Sequence, residues 1–228
     1  MHFPLTLLLT GWLAGSSVTT ETDQVFKADM LPAKAARPMA FVPAGWLLER
    51  QVAGDLNADK RPDQVLLLVE RPSDAPDAKR ERAVVVLLAE PAGFRRVGAA
   101  GAVVPCVGCA ETSVGADGVP EMAISKGQLS IRHIAGNAQT VDMTLYFRFE
   151  PTASRVRLVA QHHVKSNRKG IDTTVRHSDF LTGQQVTERI YADPNDKGGT
   201  RQLTSRKEAK VPTTPRFLED LKLGEISL

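Results

Sequence analysis

Short alternating runs dominate the hydrophobic pattern of the chain, and no sustained helical stripe interrupts them. Between residues 140 and 150, Val141, Met143, Leu145 and Phe147 alternate with Asp142, Thr144, Tyr146 and Arg148, a period of two that predicts a half-buried strand. Leu129 and Ile131 alternate in the same way after a Lys126–Gly127 turn, and Val156, Leu158 and Ala160 share a face within 155–164. Residues 172–177 and 182–191 are further strand candidates. The runs 64–69 and 82–89 differ, being apolar at nearly every position, which predicts strands buried on both faces. The polar, proline-containing segment 71–80 makes them antiparallel neighbours. Residues 46–52 and 94–104 add extended pieces. The polar, basic stretch 192–215 predicts loop, and Phe217, Leu218, Leu221 and Leu223 predict a final docking piece of about one helical turn.

Strands at such intervals predict an all-β single domain of antiparallel strands and hairpins, either a sandwich or an incomplete β-propeller-like array. The chain shows no fixed-period repeat, so a complete propeller with visible repeats is not supported. The domain is expected to span 41–228. Residues 21–40 carry scattered charges and prolines without a period and predict a linker.

Composition changes this picture at the N-terminus. The first twenty residues hold no Lys, Arg, Asp or Glu, and Phe3 to Ala14 has the apolar character of a signal-peptide core too short to span a bilayer. Residues 1–20 are therefore expected to be a secretory signal, placing the mature chain in the periplasm or outside the cell. Leu13 to Ser16 is either an ordinary small-residue cleavage region or a lipobox-like sequence in which serine stands for the acylated cysteine. The net charge of +3 on 228 residues gives no warrant for nucleic-acid binding.

Candidate chemistry concentrates in Gly54 to Asp63, GDLNADKRPD, where Asp55, Asn57, Asp59 and Asp63 form DxNxDxxxD. Alternate residues of a tight loop turn side-chain oxygens toward a common centre, and Ca²⁺ takes about six to eight oxygens at roughly 2.3–2.6 Å. The carbonyl of Arg61 is placed to add another. An EF-hand would have glutamate at the twelfth position and enter a helix, whereas Leu66 stands there in a strand-like run.

The loop resembles the calcium-binding hairpin loops of FG-GAP and VCBS repeats, in which DxNxDGxxD precedes a hydrophobic strand. Lys60 stands where that pattern has glycine, a residue favoured there because a left-handed turn costs others about 1 kcal/mol. The stretch from Cys106 to Gly183, with its proline-cysteine segment, its GxLxI strand at Gly127 to Ile131 and its FRF strand at Arg148, also resembles secreted bacterial proteins that place one such loop ahead of a small β-domain. Some of those act as periplasmic immunity proteins against peptidoglycan-cleaving enzymes. The resemblance thus implies Ca²⁺ as cofactor and a protein partner such as a lysozyme-like hydrolase.

Cys106 and Cys109 form a CxxC pair, read as a structural disulfide at a strand-end turn rather than a redox motif, which would need a βαβ context. Adjacent His162 and His163 would point to opposite faces of a strand, and His133 and His177 stand alone, so no histidine is assigned to catalysis. No GxSxG elbow accompanies the serines, and the chain is read as non-enzymatic. Two basic stretches, Lys165, Arg168 and Lys169, and Arg201, Arg206 and Lys207, are candidate docking sites for an acidic partner or an anionic envelope polymer. The expected function is a non-catalytic, calcium-binding inhibitor or immunity protein; the alternative is an envelope structural or surface-binding protein.

Overall fold

The apolar runs 65–69 and 83–88 owe their composition to cover on both sides of the strands they form. The computed structural model describes residues 26–73, 79–101, 103–109, 118–136, 139–167, 172–198 and 201–222. The expected signal segment, and Arg168 and Lys169, lie outside these residues. In chain order the strands are β1 (Lys34–Ala35), β2 (Trp46–Gly54), β3 (Asp63–Glu70), β4 (Arg82–Glu90), β5 (Gly93–Ala100), β6 (Glu121–Ser125), β7 (Gln128–Ala135), β8 (Gln139–Glu150), β9 (Arg155–Asn167), β10 (Asp172–Asp179), β11 (Gln184–Ala192) and β12 (Gln202–Lys210). They make two antiparallel sheets, one of five strands in the order β1-β5-β4-β3-β2 and one of seven in the order β12-β11-β10-β9-β8-β7-β6. The all-β, single-domain expectation holds, in its sandwich form.

Register sorts the side chains. Val65 faces Val86 and Leu67 faces Val84, and these pairs meet Leu129, Ile131, Met143, Leu145, Phe147 and Leu158 of the larger sheet in the interior between the sheets. One residue along, Leu66 faces Val85 and Leu68 faces Ala83, pointing the opposite way as a pleat requires. That outer face is closed by Phe26, Leu31, Phe41 and Trp46. Residues 26–40 are therefore not the linker expected from their composition. Two 3-10 turns, Ala28–Met30 and Pro38–Phe41, fold them over the small sheet, and Phe26 stacks edge-on to Trp46 at 5.2 Å. Apolar residues are too sparse there to show a period, yet Phe26 and Leu31 come to rest on an already apolar surface, while Met39 stays exposed.

The larger sheet outruns the core. The interior cluster draws no buried residue from β10, β11 or β12, which form a three-strand wing beyond the smaller sheet. β12 occupies a stretch expected to be loop. Nearly every residue of it is exposed, so it carries none of the apolar alternation by which strands are read. At the C-terminal end of the described chain, Leu218 and Leu221 are buried around a single 3-10 turn, as their spacing predicted.

Candidate functional site

The loop between β2 and β3 is shaped by its own polar side chains. Asp55 Oδ2 accepts the Lys60 N–H at 2.9 Å, Asn57 Oδ1 accepts the Asp59 N–H at 3.2 Å, and Asp59 Oδ1 accepts the Arg61 N–H at 2.8 Å. The last two are Asx-type turns, spanning two residues each, whereas the Asp55 bond closes the loop across five. Lys60 has φ +66°, the left-handed conformation for which the resembled pattern uses glycine, and Ala58 shares it at +63°.

Asp63 has a different place. Fully buried, it accepts the Leu56 N–H through Oδ2 and the Ala89 N–H through Oδ1, both at 2.8 Å, so it locks the loop to β4. Burial raises its pKa, against the opposing effect of the two N–H donors and with help from the charges of Asp59 and Asp55. Asp59, by contrast, is exposed and lies below the usual carboxylate range because the Arg61 N–H stabilises its charged form.

Leu56 drops into the interior between the sheets. Gly54 allows the close approach of β2 to β6, since a Cβ there would lie 2.6 Å from Ile124. The loop therefore sits against the β6–β7 hairpin, whose Lys126–Gly127 turn has positive φ at both residues, the two-residue geometry that matches strand twist. An open pocket of about 370 Å³ lies between them, lined by Asp55, Ala58, Ile124 and Lys126–Gly127.

Against a calcium ion, this donor set fits in part. The Oδ1 of Asp55 is buried without a hydrogen-bond partner, and the backbone at Lys60 already has the conformation the pattern demands. Asn57 Oδ1, Asp59 Oδ1 and Asp63 Oδ2 each accept an N–H of the loop, while Asp59 Oδ2 accepts the Asn57 side-chain amide and Asp63 Oδ1 the Ala89 N–H of β4, so each of these oxygens has one lone pair already engaged. Among the described residues no group of three or more His, Cys, Asp or Glu is gathered around a metal position. No family model matches the chain, and neither a curated protein nor a solved structure matches it.

The cysteine pair is at disulfide distance, with Cα atoms 5.4 Å apart and Cys106 joined to Cys109. The basic residues do not form one surface. Lys165 is on β9 and Lys207 on β12, three strands away, while Arg206, next to Lys207, points to the opposite face. Arg206 is paired with Glu188 and Glu208, and Arg201 with Asp193. His162 and His163 do point apart. His162 aligns with His177 on one face, whereas His163 aligns with Met143 and, through it, with His133 on the core-facing side. That alignment of residues far apart in sequence depends on register, which periodicity alone does not define.

Proposed function

We propose that the chain is a non-catalytic, calcium-binding protein of the periplasm or the cell exterior that acts by binding another protein, as an inhibitor or immunity protein directed at a cell-wall-degrading enzyme. The observation that carries the reading is the wing. β10 to β12 extend beyond the apolar interior and end in β12, an exposed edge whose unpaired backbone groups and basic side chains offer an extended acidic segment a place to add. The loop at 55–63 supports it as a rigid joint between the two sheets, and Ca²⁺ held by Asp55, Asn57, Asp59, Asp63 and the Arg61 carbonyl would tighten that joint.

The test is calorimetric titration of the chain against a panel of lysozyme-like and other peptidoglycan hydrolases, with their activity followed in parallel. Saturable binding that slows one hydrolase, and weakens when Lys207→Glu is introduced on β12, supports the reading. Absence of binding across the panel removes it. The second reading, an envelope surface protein, is favoured by Lys165, Arg176, Arg189 and Lys207, which register places on the core-facing side of the wing with Asp172 as their neighbouring carboxylate. Salt-sensitive cosedimentation with peptidoglycan in place of hydrolase binding would select it.

A further inference from the structure

On the core-facing side of the larger sheet, at the margin where the apolar interior gives way to the wing, three residues of adjacent strands stand in one row. His133 of β7 is in register with Met143 of β8, which is in register with His163 of β9. Residues in register share a face, with adjacent strands about 4.8 Å apart, so the thioether lies between two imidazoles. Both imidazoles are more than nine-tenths buried, at 8% and 9% exposure, and Met143 beneath them is fully buried.

Buried polar atoms are nearly always hydrogen-bonded. Here Nδ1 of His133 and Nε2 of His163 are buried with no partner. The sulfur between them is not in a purely apolar setting either, since the Gln161 side-chain amide donates to Met143 Sδ at 3.2 Å. The two rings are also close enough that charge on His163 opposes charge on His133. Burial holds both below the usual histidine range, His133 at about 4, so each presents a neutral ring at neutral pH. A ligand that accepts lone pairs, and needs no proton displaced, satisfies both orphaned nitrogens at once.

We propose that His133, Met143 and His163 bind copper(I). The donor set selects the ion. Thioether sulfur is a soft ligand that favours Cu⁺, and imidazole suits it, whereas hard cations want oxygen. Zn²⁺ sites draw on thiolate, carboxylate or further imidazole donors. The carboxylate whose charge acts on His133, Asp142, faces the other side of the sheet, where it is held by Arg132. Lys165 and Arg176 act on His163 and disfavour a second positive charge, which again selects a monovalent ion. This site is separate from the 55–63 loop and independent of the function proposed above.

The experiment is anaerobic titration of the full chain with Cu⁺ against the chromophoric chelator bicinchoninate, with ascorbate as reductant. A Cys106→Ser, Cys109→Ser background keeps thiolates from competing. The expected result is one Cu⁺ per chain, with at least a tenfold loss of affinity in His163→Gln and in Met143→Leu. The second substitution preserves volume, and its thermal melt verifies the fold. X-ray absorption at the copper edge should show a sulfur scatterer in the parent that is lost in Met143→Leu. Failure to take copper from the chelator, affinity unchanged by either substitution, or tighter capture of Zn²⁺ would each overturn the assignment.

Discussion

The guanidinium of Arg82 grips the carboxylate of Glu49 through two parallel bonds of 2.7 Å, Nε to Oε2 and Nη2 to Oε1. Its Nη1 donates to the carbonyls of Pro105 and Gly118, at 3.2 and 3.0 Å. Arg82 is 3% exposed and Glu49 15%, so the guanidinium is buried and its carboxylate partner is largely withdrawn from water. It ties β4 to β2 across β3 and anchors the ends of the segment that holds the cysteine pair. Glu49 reaches it from the irregularity between Leu48 and Arg50 in the β2–β3 register.

Removing one partner leaves the other charge buried. Glu49→Ala is expected to destabilise the fold by about 3–5 kcal/mol in urea denaturation, and the double change Glu49→Leu with Arg82→Met by much less. A small loss in Glu49→Ala beside a large one in the double variant would show that the carbonyl contacts of Arg82, not the charge pair, carry the stabilisation.

Calcium should raise the melting temperature relative to chelator by a few degrees, which corresponds to about 1 kcal/mol or more for a domain of this size. Asp59→Ala, at an exposed position, is expected to leave the chelator melt nearly unchanged and to abolish the calcium increment. A calcium shift that survives this substitution would remove Asp59 from the ligand set.

Asp63→Ala should behave differently. It leaves the N–H groups of Leu56 and Ala89 without their acceptor, at about 1–3 kcal/mol each, so stability should fall by at least 2 kcal/mol whether or not calcium is present. A loss confined to the calcium condition would mean that Asp63 matters only as a ligand.

Lys60→Gly should stabilise the chelated protein by roughly 0.5–1 kcal/mol, because glycine adopts φ +66° without the strain borne by a residue with Cβ. The same change removes a positive charge from the loop and should tighten calcium binding. A lower melting temperature in Lys60→Gly would argue that the lysine chain is itself held in place.

His133 adds an acid dependence to the metal-free protein. Its folded pKa of about 4 lies below the ordinary 6.5 because burial outweighs the pull of Asp142 and acts with the repulsion of His163. Above pH 6.5 the ring is neutral in both states. On acidification the unfolded chain takes up the proton first, so stability should fall between pH 6.5 and 4 by up to about 3 kcal/mol. Unfolding free energies measured in chelator across that range should lose much of their slope in His133→Phe.

Much of this architecture is legible in the chain because local burial leaves a local mark. The alternation from Val141 to Phe147 predicted one covered face on β8, the nearly continuous apolar runs at 64–69 and 82–89 predicted two covered faces on β3 and β4, and the Asp/Asn spacing predicted a tight polar loop. β12 was not legible, since pairing with β11 through backbone groups leaves no trace in side chains that stay in water. Nor was the cover of the outer face, because Phe26, Leu31 and Phe41 are scattered residues that become a layer only when turns place them on Leu66 and Leu68.

The spacing groups the loop residues together, but their division of labour is not visible in it. Spacing treats Asp55, Asn57, Asp59 and Asp63 as equals, whereas packing buries Asp63 against β4 and leaves Asp59 in solvent. The sequence by itself determined the β class, the strands with an apolar face and the polar loop, since these depend on residue type and short-range spacing. Tertiary structure decided which faces meet, that the wing outruns the core, and that His133, Met143 and His163 share a row. Register and sheet order bring together residues thirty positions apart, and no periodicity along the chain encodes that.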